Sequence, residues 1–281
     1  IDSSGIHSPL RNELPESYMM DESLKRGDVF HTYRAYFNKT EEHQDLQEFK
    51  IIIGFKNKRG IAWVNTSNEY ADVLVGCIDP FKKGEIEALL RGLRRSHAEI
   101  GEKLLRGGIV APIPIRRTAH RLVAPNLAFI GDAAWMTRPV NGSGIDNAMI
   151  AGKILAETVI EANSKKSSEN EGTSYETSAL WPYQYRYYQE RGAECAFIDV
   201  LKNYLMTIDF KNVNFAFRKR LLTPKDLEAG LGGGELELSV LDLIGRLLRG
   251  CTRPWVLLTL GKNIKLGKSV QEHCENIPNT F

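Results

Sequence analysis

The residue types and spacing best suited to chemistry lie between Asn126 and Met149. A short apolar run, Asn126 to Ile130, leads into Gly131-Asp132; Pro139 follows, then Asn141-Gly142-Ser143-Gly144 ahead of Ile145. A buried strand would deliver Asp132 at its carboxyl end, the edge at which α/β sheets collect ligands. A carboxylate there accepts hydrogen bonds from sugar-alcohol hydroxyls. Ala133 and Ala134 allow close backbone approach, Pro139 stiffens the loop, and Gly142 and Gly144 are expected to bare amide N–H groups at a helix start. Such amides favour negative charge. Gly-Asp-Ala-Ala alone fits an ordinary acidic turn; the whole spacing is more specific.

The elements that must position this loop follow from periodicity. Val29 to Phe37, Glu48 to Phe55, Ile61 to Val64 and Val73 to Cys77 are short β-rich stretches separated by turn residues, which predicts an antiparallel meander. Lys83 to Leu105 has helical spacing of Ile86, Leu89, Leu90 and Leu93, and Gly107 to Ile115 is a crossing segment punctuated by Gly and Pro. A helix is expected from Ser143 to Ala162, a polar linker over 163–178, a helix over 180–205, a flexible break at Gly230 to Gly234 and a helix over 236–248 ending near Pro254.

The Asp132 segment resembles the second FAD-binding motif of the p-hydroxybenzoate-hydroxylase-like flavoproteins. The resemblance implies that Asp132, after Gly131, meets the ribityl chain of FAD, and that Pro139, Asn141, Gly142, Ser143, Gly144 and Ile145 sit against the flavin ring. Amides there would also stabilise the anion of reduced flavin. Asp2, Gly5, Ser8 and Arg11 match the Asp-x-x-Gly-x-x-Ser-x-x-Arg element that ends the first dinucleotide-binding half of these enzymes, with Arg11 at the cofactor; seen alone, this stretch also fits a plain turn. Gly60-Ile-Ala-Trp-Val64, Ala71 to Gly76 and Gly107 to Pro114 resemble substrate-domain strands of the geranylgeranyl reductase group, with Trp63 either a substrate contact or a core residue.

The implied fold is α/β plus β: a partial three-layer FAD/NAD(P)-binding domain, an antiparallel sheet for the substrate and a helical C-terminal region. The expected divisions are 1–12, the end of the first FAD-binding half; 13–115, the substrate domain; 116–162, the returning strand and helix; 163–178, the linker; and 179–281, the helical region. No Gly-x-Gly-x-x-Gly turn follows a plausible strand, and the resemblance puts that turn upstream of Asp2. The chain is therefore expected to be the C-terminal portion of a longer flavoprotein, or one chain of a split enzyme, that binds FAD poorly by itself.

The implied activity is flavin-dependent reduction or oxidation of an apolar, isoprenoid-like substrate, with NAD(P)H or a ferredoxin-like protein as electron donor. An aromatic monooxygenase or halogenase of the same superfamily is the enzymatic alternative; a non-catalytic module is the other. No catalytic acid or base stands out. The 281 residues carry a net charge of +2, which argues against a nucleic-acid partner. Four scattered cysteines and six histidines lack metal-ligand spacing. A cytoplasmic location is expected, with a peripheral membrane contact suggested by the basic run Arg218-Lys219-Arg220.

Overall fold

Apolar alternation on the β-rich stretches builds a five-stranded sheet. Its strands are β1 (Val29–Lys39), β2 (Phe49–Phe55), β3 (Lys58–Thr66), β4 (Ala71–Cys77) and β5 (Ile100–Pro114), in the order β2-β3-β4-β1-β5. Pairing of β2 with β3, β3 with β4 and β4 with β1 is antiparallel. The computed structural model describes residues 1–18, 24–55, 58–164, 174–221, 223, 245–246, 249–250 and 252–281. The chain divides into two units: residues 24–113, which hold this sheet, and residues 1–23 with 114–281.

In the sheet unit, alternate residues point to opposite faces. One face joins Tyr33, Ala35, Phe37, Ala62, Val64, Val73 and Val75 into a core covered by Leu89 and Leu90 of α2 (Glu85–Ser96). Acidic Glu85 and Glu87 in the first turn and Arg94 and Arg95 in the last complement the α2 dipole. The helix stops at Ser96, short of the Leu105 expected, and β5 begins at Ile100. Gly107 and Gly108 are interior to β5 with φ of +79° and +85°. A Cβ on Gly107 would come within 2.7 Å of the Arg34 carbonyl oxygen, so close approach of β1 demands glycine there.

In the other unit, β6 (Val123–Ala124) and β7 (Leu127–Ala128) form a short antiparallel pair. Asp2 bridges Phe129 in parallel: its N–H donates to the Ala128 carbonyl at 2.8 Å, and its carbonyl accepts from Ile130 N–H at 3.0 Å. The helices are α1 (Pro9–Glu13), α3 (Ile145–Ser164), α4 (Thr177–Tyr187), α5 (Ala193–Thr207), α6 (Phe210–Arg218) and α7 (Pro254–Glu275). A π-helical turn, Tyr188–Gly192, splices α4 onto α5. Tyr183, Tyr187 and Tyr188 are buried, with the Tyr183 hydroxyl donating to the Phe129 carbonyl at 2.7 Å and the Tyr188 hydroxyl to the Ala119 carbonyl at 2.9 Å. Tyr183 thus ties α4 to the strand that leads to Asp132, and Tyr188 ties the π-helical turn to the segment at Ala119.

The mixed architecture, with an antiparallel sheet and a helical C-terminal region, is the fold class expected from the sequence. Two further expectations change, and a third is untested. Asn163 and Ser164, read as linker, belong to α3, and α4 begins at Thr177; residues 165–173 lie outside the described residues. The Gly230–Gly234 break, and all of the expected 236–248 helix except 245–246, also lie outside them. Pro254, read as a terminator, instead opens the 22-residue α7, where its missing N–H costs no hydrogen bond. Among the described residues no helix is long and apolar enough to cross a membrane.

Candidate functional site

Asp132 lies in a 3-10 turn, Gly131–Ala134, immediately after the Asp2–Phe129 bridge. Gly131 has φ +65° and Trp135, closing the turn, has φ +55°. Trp135 N–H donates to the Asp132 carbonyl at 3.1 Å and Met136 N–H to the Gly131 carbonyl at 3.0 Å, so a buried tryptophan is held in the left-handed region by its surroundings. The Arg11 and Arg116 guanidiniums lie 4.4 and 4.2 Å from the Trp135 ring centre.

The Asp132 side chain is half-buried and accepts no hydrogen bond from any described residue. Burial pushes its carboxyl above the usual carboxylate value, because the charged form loses water and gains no donor. A carboxylate left in this state suits a ligand that brings its own hydroxyl donors.

The residues of the Asp2-to-Arg11 element interlock behind this turn. The Asp2 carboxylate is buried; it accepts from Ser4 N–H at 2.8 Å, from the Ser4 hydroxyl at 2.6 Å and from the Ser8 hydroxyl. Burial alone would raise its pKa, but the Ser4 and Ser8 hydrogen bonds and the Arg11 charge outweigh burial and lower it. Gly5 turns the chain at φ +90°, and the Ser8 hydroxyl also accepts from Arg11 N–H at 3.1 Å. The Arg11 side chain stacks 4.5 Å from the Phe129 ring centre and donates to the Ala133 carbonyl. Arg11 therefore fixes the position of the turn that carries Asp132.

The loop from Met136 to Gly144 spends some of the amides expected to be bare. Gly142 N–H, at φ +70°, donates to the Arg138 carbonyl at 2.9 Å, and Ser143 N–H donates to Asn141 Oδ1 at 3.0 Å. Gly144 and Ile145 N–H donate to no described residue and remain available at the start of the 20-residue α3. Glycine at 144 is required by close packing: a Cβ would meet Thr137 Cγ2 at 2.9 Å. Pro139 is buried in the loop. Exposed Ile145 and Met149, one turn apart on α3, present an apolar strip beside the two free amides.

Sequence reasoning missed the residues that brace this loop. Arg138 is buried and pairs with Asp146 at 3.2 Å. Thr137 donates its hydroxyl to the Pro114 carbonyl. Asn147 is fully buried, its Nδ2 donating to Cys195 Sγ at 3.7 Å while its Oδ1 has no partner among the described residues. None of these contacts has a fixed sequence spacing that could have signalled it. Trp63 lies in the sheet unit, on β3, half-buried with Phe49 at its edge 6.2 Å away. Among the described residues no cluster of His, Cys, Asp and Glu could hold a metal ion.

No protein-family model matches the chain. A digeranylgeranylglycerophospholipid reductase of Sulfolobus acidocaldarius is 25% identical over 283 positions, which cover 99% of this chain and 61% of the relative. Among solved structures, a geranylgeranyl bacteriochlorophyll reductase-like protein from Thermoplasma acidophilum superposes with a TM-score of 0.60 at 18% identity, over 86% of this chain and 56% of that one. A flavin-dependent brominase gives 0.52 at 15% identity, over 87% and 60% of the two chains. The fold is thus that of the flavoproteins that include geranylgeranyl reductase-like and halogenase chains. The chain is similar over nearly its whole length to the Sulfolobus acidocaldarius reductase, and it spans about three-fifths of that relative's own length.

Proposed function

We propose that the chain forms part of an FAD-dependent oxidoreductase that reduces an apolar, isoprenoid-like substrate. The observation that carries this reading is the Asp132 carboxylate, desolvated and without a donor among the described residues, in a turn whose Gly131 lies against Ala148 of α3, the helix that opens with the unspent Gly144 and Ile145 amides. When bound, FAD would supply hydride chemistry through N5. Asp132 would accept from the ribityl hydroxyls. The Gly144 and Ile145 N–H groups, at the positive end of α3, would favour negative charge on the ring edge that approaches them. Arg11 acts through Ala133 as a positioning residue, and the Arg138–Asp146 pair braces the loop.

The curated relative's name supports a lipid carrying isoprenoid chains as the substrate class. The sheet unit adds support: Phe49, Ile51 and Ile53 of β2 stand exposed on the face away from α2. An NAD(P)H or ferredoxin-like donor would complete the cycle, with peripheral membrane contact bringing enzyme to lipid.

The test uses protein made from the complete reading frame. The expected result is a visible spectrum of bound oxidised flavin, and, after anaerobic reduction, conversion of a geranylgeranyl lipid to a product richer in hydrogen by mass spectrometry. Flavin binding with rapid oxygen consumption and hydroxylated or halogenated product would move the chain to the oxygenase alternative. Absence of flavin from the whole protein would overturn the enzyme reading.

A further inference from the structure

We propose that Arg106, oriented by Tyr36 and assisted by Arg34, binds the phosphate of a single polyprenyl lipid whose hydrocarbon lies along the open face of the five-stranded sheet. This rests on the isoprenoid reading above and adds a polar end to that ligand.

Strand register puts the relevant side chains on one face. Ile51 pairs with Trp63, Trp63 with Leu74, and Leu74 with Arg34, which traces a row across β2, β3, β4 and β1. The β2 end is apolar and exposed: Phe49 is 59%, Ile51 44% and Ile53 42% accessible. The β1–β5 end is cationic and aromatic. The Arg106 guanidinium lies 3.9 Å from the Tyr36 ring centre and 5.8 Å from that of Tyr70, and the two rings meet edge to face at 5.1 Å. The Arg34 guanidinium lies 5.2 Å from the Tyr36 ring centre and 5.7 Å from that of Trp63.

The two arginines differ in charge state of their surroundings. Arg34 makes a two-pronged pair with the buried Asp72 carboxylate, at 3.0 Å from Nε and 2.8 Å from Nη2, which cancels one charge and fixes its plane. Arg106 makes no ion pair or hydrogen bond with any described residue. The Arg106 charge is thus left uncompensated by the described residues, on a planar fork whose ring stack restricts its motion and leaves its N–H edges exposed, the geometry that suits phosphate oxygens.

Separation of the two ends selects the ligand. Three strand spacings, about 14 Å, lie between β2 and β1, which a small free anion cannot span and an amphiphile can. An anionic bilayer is read by several dispersed cations, whereas one oriented guanidinium on an aromatic platform suits one phosphate.

The experiment titrates full-length protein with geranylgeranyl phosphate and with geranylgeraniol, both below micelle-forming concentration, by calorimetry. The phosphate is expected to bind at least tenfold tighter than the alcohol. Arg106→Gln should erase that preference and leave alcohol affinity unchanged, while Ile51→Asp should weaken both ligands tenfold or more. Equal affinity of wild-type protein for the two ligands, or an equal loss on both in Arg106→Gln, overturns the phosphate assignment and leaves the isoprenoid reading standing. Failure of wild-type protein to bind either ligand sinks the isoprenoid reading itself. Binding to phosphatidylglycerol vesicles without binding of the monomeric phosphate overturns the proposal in favour of a membrane surface.

Discussion

Asp132 and Asp2 are carboxylates placed a few residues from the same bridge and driven in opposite directions. Asp2 is surrounded by Ser4 and Ser8 donors, and its pKa is lowered against the pull of burial. Asp132 receives no donor from the described residues, and burial raises it. For an acid raised in the folded state, the stabilising contribution is fully present below the unfolded value of 3.8 and is lost as pH rises through the folded value. In flavin-free protein, Asp132→Asn should therefore raise the melting temperature at pH 7, with the gain shrinking towards pH 3.8 and below, read by thermal melts across that range. The same variant should bind flavin roughly tenfold to a hundredfold more weakly, since hydrogen bonds to a charged acceptor contribute about 1.5–3 kcal/mol; fluorescence titration measures this. A site held at the expense of stability is the signature expected here. Asp2 has the reverse sign: its contribution exists above 3.8 and disappears as pH falls through its lowered folded value. Ser8→Ala removes a donor from that buried carboxylate and the acceptor that caps Arg11 N–H, and should cost about 1–3 kcal/mol in urea unfolding at pH 7.

At the scale of elements, the loop between Asp132 and α3 works because its glycines are not interchangeable. Gly142 supplies a left-handed turn, whereas Gly144 supplies space beside Thr137. Gly144→Ala should destabilise the protein by about 1–3 kcal/mol through overpacking and lower flavin occupancy, whereas the same substitution at Gly5, where a Cβ meets nothing within 4 Å, should act through its positive φ alone. Differential scanning calorimetry with flavin absorbance separates the two effects. Much of this was legible in the sequence: the strand, the Asp132 turn and α3 are where apolar periodicity and the Gly-x-Gly spacing put them. Which amides stay free was not, because Gly142 and Ser143 lose theirs to Arg138 and Asn141 through local folding that composition does not encode. The α2 boundary was missed because Leu104 and Leu105 mimic a helical face, while the chain has already left the helix at His97 and joined the sheet edge. Pro254 was misread because proline marks both the stop and the first turn of a helix.

At the scale of the whole molecule, the sheet unit is an insertion: residues 24–113 leave and re-enter the other unit through β1 and β5, which are neighbours in one sheet. Its core of Phe37, Val64, Val73 and Leu89 is closed by its own helix. A segment spanning 24–113 should fold alone with antiparallel β circular dichroism and a cooperative urea transition, and the full chain should depart from two-state unfolding because two cores melt separately. The insertion also dictates a chronology. Arg11 and Ala133, joined by a hydrogen bond, are 122 positions apart along the chain. On the ribosome the segment around Arg11 emerges before the sheet unit and meets its partner only once the later turn has been made. Closure of so long a loop is entropically slow, so the turn that carries Asp132 cannot be clamped by Arg11 until the whole sheet unit has been made.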